Sequence, residues 1–172
     1  MILTGLLLLI PLGFRWHWHL PGYLVFGALI FGVGVAYQAV TRKCDLWSYK
    51  LAVGIAFVTL FALAWGSLVQ FFDVTPVAVI YYGVPIVAGV GAAMVRLEPE
   101  GMSRVMAVVA AVQFLDVLIA LGLQWLRKPA LDLWTAPEWR GLIGNTVDGL
   151  LFVVSALLFR RAGREVGTLS AQ

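Results

Sequence analysis

VMAVVAAVQFLDVLIALGLQWL, residues 105–126, decides the fold. It is an apolar run carrying one charge, Asp116, and as a helix it would be about 33 Å long, enough to cross a hydrocarbon layer of roughly 30 Å. The same kind of window recurs at 1–14, 20–41, 51–72, 76–95 and 141–159. Asp116 and Asp148 are the only charged residues inside any window, so the charges punctuate the helices. The pattern predicts an all-α fold: a polytopic transmembrane helix bundle of five full spans plus a short N-terminal apolar helix, six in total. Residues 1–172 form a single transmembrane helical domain in this reading. Composition agrees, with 62% hydrophobic and 12% charged residues against about 25% charged in soluble domains. Six spans would occupy roughly 120 residues, which leaves no room for a soluble ATPase, a dinucleotide-binding fold or a nucleic-acid reader.

Met1–Phe14 lacks the basic leader and small-residue cleavage site of a secretory signal and reads as a retained first helix. Pro21, Pro76, Pro99, Pro129 and Pro137 stand at segment ends, where a missing backbone donor costs little. Pro85 lies inside the fourth segment and is expected to kink it. The net charge of +3 is read as topology. Alternate connections hold Arg42, Lys43, Lys50, Arg96, Arg104, Arg160, Arg161 and Arg164 on one side, and Arg15, Arg127, Lys128 and Arg140 on the other. Lys/Arg-rich short loops stay cytoplasmic, so a cytoplasmic C-terminus is expected. Trp16, Trp18, Trp125, Trp134 and Trp139 then form an outer interfacial belt, with Trp47 at the inner boundary. Cys44, beside Arg42 and Lys43, has no partner for an internal disulfide and reads as an ordinary free thiol.

Helices in lipid approach closely through small side chains. Ala28, Gly32 and Ala36 share one face, and the spacing repeats at Ala52/Ala56, Ala88/Ala92 and Ala107/Ala111. The runs GVGVAYQAVTRK at 32–43, YKLAVGIAFVTLFALAW at 49–65, YYGVPIVAGVGAAMVRLEPEGMSR at 81–104 and SALLFRRAGRE at 155–165 resemble a family of small multi-pass bacterial inner-membrane proteins with no established activity. The resemblance covers nearly the whole chain and implies a helical membrane fold and a bacterial inner-membrane location. Gln38 and Ser67 depart from the family pattern, which has Glu and Asn there, and Asp116 and Asp148 stand at apolar positions of it. Gln113 and Asn145 fit it. The resemblance therefore implies an old Gln113/Asn145 contact between the last two helices, beside which this chain carries two added carboxylates.

The residues themselves point to the same cluster. Gln113 and Asp116 are three apart, hence on one helical face, which Ala120 and Gln124 continue. Asn145 and Asp148 repeat the spacing, continued by Phe152 and Ser155. Asp116 would lie about 15 Å from the outer end of its helix and Asp148 about 10.5 Å from its own, so antiparallel neighbours would bring the carboxyls within about one turn. A buried carboxylate costs several kcal/mol unless paired or protonated. With no Lys or Arg at this depth, at least one Asp is expected to hold its proton at neutral pH. The intramembrane polar cluster Gln113, Asp116, Asn145 and Asp148 is either an interhelical hydrogen-bond clamp or a proton or cation site.

Other chemistry finds less support. His17 and His19, with Asp132 or Glu138, could begin a metal site, but interfacial anchoring accounts for them and no metal is expected. No histidine stands within a full span to ligate haem, no nucleophile elbow or phosphate loop is present, and Tyr81 and Tyr82 read as belt residues. No cofactor and no catalytic residue are expected. The expected function is a non-enzymatic structural or accessory component of a membrane assembly. Its partners would be the lipid bilayer and a larger membrane complex or a small homo-oligomer, without nucleic acid. The alternative is a small transporter or channel using Asp116 and Asp148; an enzyme acting on lipid or quinone ranks third. Leu131, Leu133, Trp134 and Trp139 alternate with Asp132 and Glu138, which suggests that the 127–139 connection lies on the membrane surface.

Overall fold

The computed structural model describes residues 20–69, 83–127 and 138–170, all in helices and their short connections. The chain divides at Lys43/Cys44 into two units. The first contributes α1 (Leu20–Thr41). Pro21 is the second residue of its described part. It ends where the Thr41 hydroxyl turns back on the Tyr37 carbonyl at 2.8 Å and the chain enters Arg42 and Lys43, cations suited to a helix C-terminus.

The second unit holds α2 (Trp47–Val69), α3 (Gly83–Met94), α4 (Pro99–Arg127) and α5 (Glu138–Ser170). Trp47–Ala64, Pro99–Leu123 and Gly141–Ser170 are long and apolar enough to cross a membrane, and Phe26–Thr41 and Gly83–Met94 are shorter apolar stretches. No strand occurs among the described residues. The first apolar segment, 1–14, and residues 76–82 of the fourth lie outside them.

α4 begins on Pro99 with Glu100 in its first turn, both suited to a helix start, so the helix opens six residues before the apolar run. α5 runs eleven residues past the apolar window, through Arg160, Arg161, Arg164 and Glu165. Thirty-three residues make a rod of about 50 Å, longer than a bilayer core, so its polar last turns stand beyond the apolar part. Pro85, expected to kink the fourth segment, is the third residue of the described α3, and the residues before Gly83 that would show its effect on the helix lie outside the described ones.

α4 packs most extensively on α5, α5 on α2, and α3 on α4, so α5 and α4 form the middle of the unit. Two glycines allow the approach: a Cβ at Gly91 of α3 would stand 2.7 Å from Val105 Cγ1, and one at Gly149 of α5 would stand 2.9 Å from the Phe114 ring. Ala52, Ala56 and Ala88 are buried, in keeping with the small-residue reading. Ala107 and Ala111 are exposed, because the buried stripe of α4 runs through Met102, Met106, Val109, Ala110, Gln113 and Val117 and leaves them on the far side.

The unit exposes many large apolar side chains around a core that is itself mainly apolar. Thr59, Gln113, Asp116 and Ser155 are buried, whereas Leu115, Leu118, Ile143, Leu150 and Leu157 are exposed. Such an apolar exterior is suited to lipid.

Candidate polar site within the helix unit

The α4–α5 interface is fastened by amide chemistry. Gln113 Nε2 donates to Asn145 Oδ1 at 3.1 Å and lies 3.5 Å from the Asn145 carbonyl oxygen. Gln113 is fully buried, so this bond fixes which way its amide points. Among the described residues its Oε1 is buried without a hydrogen-bond partner, and so is Oδ2 of Asp116, one turn along the same helix.

Helical spacing sets the two carboxylates on separate stripes. Asp116 shares its stripe with Val105, Val109 and Val112, and Val105 is the side chain set against Gly91 of α3. Asp148 shares its stripe with Phe152, Ser155 and Phe159. Ser155 Oγ donates to the Ala52 carbonyl of α2 at 2.9 Å, and the Phe159 ring meets Tyr49 of α2 edge-on at 5.3 Å. The structure thus joins Gln113 to Asn145, and among the described residues no hydrogen bond links Asp116 to Asp148.

The α2–α5 pairing supplies a residue that the sequence reading passed over. Stepping two turns, about seven residues, from the Ser155–Ala52 pair along both antiparallel helices reaches Asp148 on α5 and Thr59 on α2, at the same level by helical rise alone. Thr59 is fully buried; its hydroxyl donates to Ile55 within its own turn at 2.8 Å and keeps lone pairs to accept with. Threonine is common in apolar helices, so only the pairing register distinguishes this one.

A second polar cluster, also unanticipated, ties together the end of the unit that carries the arginines. Ser48 Oγ donates to Glu165 Oε2 at 2.7 Å, and Arg161 Nε donates to Glu165 Oε1 at 2.9 Å. The Ser48 hydroxyl first, and Arg161 second, hold the Glu165 carboxyl below its ordinary range. Lys50 pairs with Asp45 at 2.8 Å and lowers that carboxyl likewise. Ser103 Oγ donates to the Ala156 carbonyl at 2.9 Å, and Tyr49 OH to the Leu97 carbonyl at 2.9 Å.

Leu97 belongs to the tight α3–α4 turn. It and Arg96 have φ of 63° and 52°, left-handed conformations that cost a non-glycine residue roughly 1–2 kcal/mol each. The turn is held by bonds from Arg96 N to the Ala93 carbonyl and from Leu97 N to the Ala92 carbonyl, each 3.2 Å, the paired closure typical of a helix C-terminus. Tyr49 adds an outside anchor. No glycine marks this turn, and only the Glu98-Pro99 step signals a helix boundary.

Of the expected outer belt, Trp125 is exposed near the end of α4, as is Trp47 at the start of α2. Trp16, Trp18 and Trp134 lie outside the described residues, with His17, His19, Tyr81, Tyr82 and Asp132; Trp139 and Glu138 stand in the first turn of α5. Among the described residues no three His, Cys, Asp or Glu side chains come together as metal ligands would. No protein-family model, no curated protein and no solved structure matches the chain, so its function is read from its own geometry.

Proposed function

We propose that the chain is a small multi-pass protein of the bacterial inner membrane, with six helices and a cytoplasmic C-terminus, acting as a non-enzymatic structural or accessory component of a membrane assembly. One observation carries this reading: four polar side chains reach from one helix to another helix or turn. Gln113–Asn145, Ser103–Ala156, Ser155–Ala52 and Tyr49–Leu97 each close one helix or turn on another. The outer faces are left as apolar surface, at Leu115, Leu118, Leu150 and Leu157, for lipid and for another subunit. Orientation rests on eight Lys and Arg residues in one set of connections against four in the other. Purification in mild detergent with mass determination tests the proposal. A foreign membrane protein retained at fixed stoichiometry supports it; a lone chain or small homo-oligomer that moves ions in liposomes contradicts it. A reporter fused after Gln172 should be active only in the cytoplasm.

A second reading, a small transporter or channel using Asp116 and Asp148, is favoured by the two buried acceptors without partners among the described residues, Gln113 Oε1 and Asp116 Oδ2. Buried polar groups left unmatched in a membrane are functional candidates. Under this reading, replacing both aspartates with Asn abolishes ion flux while the protein still folds.

A further inference from the structure

The unmatched atoms on α4 are both acceptors. Gln113 has committed its amide N–H to Asn145, and its Oε1, like Oδ2 of Asp116 one turn along, is buried with no hydrogen-bond partner among the described residues. Gln113 is 0% exposed and Asp116 5%, so bulk water does not supply the donor. Two acceptors repel unless a hydrogen stands between them. Of the two groups only the carboxyl can carry one, since a protonated carboxyl is a donor and an ionised one is not. Among the described residues no charged group competes for the role: α3 bears no ionisable side chain, α4 has none between Arg104 and Arg127 apart from Asp116, and on α5 near Asn145 the ionisable residue is Asp148.

We propose that Asp116 is a buried proton-binding site in which Oδ2–H donates to Gln113 Oε1, and in which the Asn145 bond keeps the Gln113 amide turned to receive it. The ligand is a proton and not a metal cation. Asn145 is a positioning residue: without it, Gln113 is free to rotate its amide and offer N–H to Asp116, which favours the ionised carboxylate. The proposal deepens the second reading by naming the carboxyl and its ligand, but it holds whether or not protons cross the membrane.

Infrared spectroscopy of the full-length protein in liposomes tests it, because a protonated carboxyl has a C=O stretching band distinct from carboxylate bands. At neutral pH, wild type minus Asp116→Asn should show the protonated-acid band, insensitive to added sodium. In Asn145→Ala the pH at which the band is half lost should fall by about one unit, the size of one hydrogen bond transferred to the charged form. If Asp116→Asn does not fold, the band should persist in Asp148→Asn and shift in frequency in Gln113→Leu. Carboxylate bands alone at neutral pH, an unshifted titration in Asn145→Ala, or loss of the band on adding sodium overturns the proposal. Ion flux, measured separately, bears on transport and not on this site.

Discussion

Gly91→Ala is the sharpest test of the packing. The added methyl would stand 2.7 Å from Val105 Cγ1, 3.1 Å from Cγ2 and 3.4 Å from Cβ. Valine is stiff about χ1 and Val105 is only 9% exposed, so it cannot swing away and the helices must part. Overpacking of this kind costs about 1–3 kcal/mol, offset by the roughly 1 kcal/mol by which Ala exceeds Gly as a helix former; the net is a loss of about 0–2 kcal/mol. Gly89→Ala is the control. It meets nothing within 4 Å and keeps only the propensity gain, so the two variants should differ by about 1–3 kcal/mol in reversible unfolding by a denaturing detergent. Adding Val105→Ala to Gly91→Ala should recover part of the loss, and the pair should be non-additive, as contacting residues are. Equal stability for Gly91→Ala and Gly89→Ala would refute this packing of α3 on α4.

Three further outcomes follow. Tyr49→Phe removes the anchor on the Leu97 carbonyl and should cost about 1 kcal/mol, with proteolytic cleavage in the 95–98 turn rising; unchanged stability and cleavage would show that the bond does not hold the turn. A double-mutant cycle of Thr59→Val with Asp148→Leu should give a coupling of about 0.6 kcal/mol, typical of polar pairs between membrane helices, whereas additivity would disprove their opposition. Glu165 has its carboxyl lowered from 4.5 by Ser48 and then Arg161, so its stabilisation is present above that value and is lost as pH falls below it towards the lowered one. The melting gap between wild type and Glu165→Gln should therefore be open at neutral pH and close in acid; a gap independent of pH would contradict the contact.

Much of the helical framework can be read from the residues because charged residues interrupt the apolar runs. The run 105–126 sits inside α4 and 141–159 inside α5. What charge does not mark is where a helix ends: Arg160 closes the apolar window of α5, yet Gly163 and Gly167 do not stop the helix, and it continues to Ser170. The Gln113–Asn145 bond could be anticipated, since amides at matching depth on antiparallel neighbours seek each other where water is scarce. The shared level of Asp148 and Thr59 could not, because it depends on which face of α5 meets α2. The Tyr49–Leu97 anchor depends on a turn with two left-handed residues and no glycine. Ala107 and Ala111 have the spacing of a packing face but lie on the outside of α4, since four-residue spacing says that residues share a face and not which face is covered.

The apolar exterior is tested most directly by spin labels placed one at a time on α4 in bilayers, with collision rates measured for oxygen, which concentrates in lipid, and for a water-soluble nickel complex. Labels at Leu115 and Leu118, which are 55% and 63% exposed, should collide freely with oxygen and hardly with nickel, while a label at fully buried Val109 should be immobilised and shielded from both. Ready access of the nickel complex to Leu115 and Leu118 would mean that this face meets water, and would contradict a lipid-embedded unit with its polar groups turned inward.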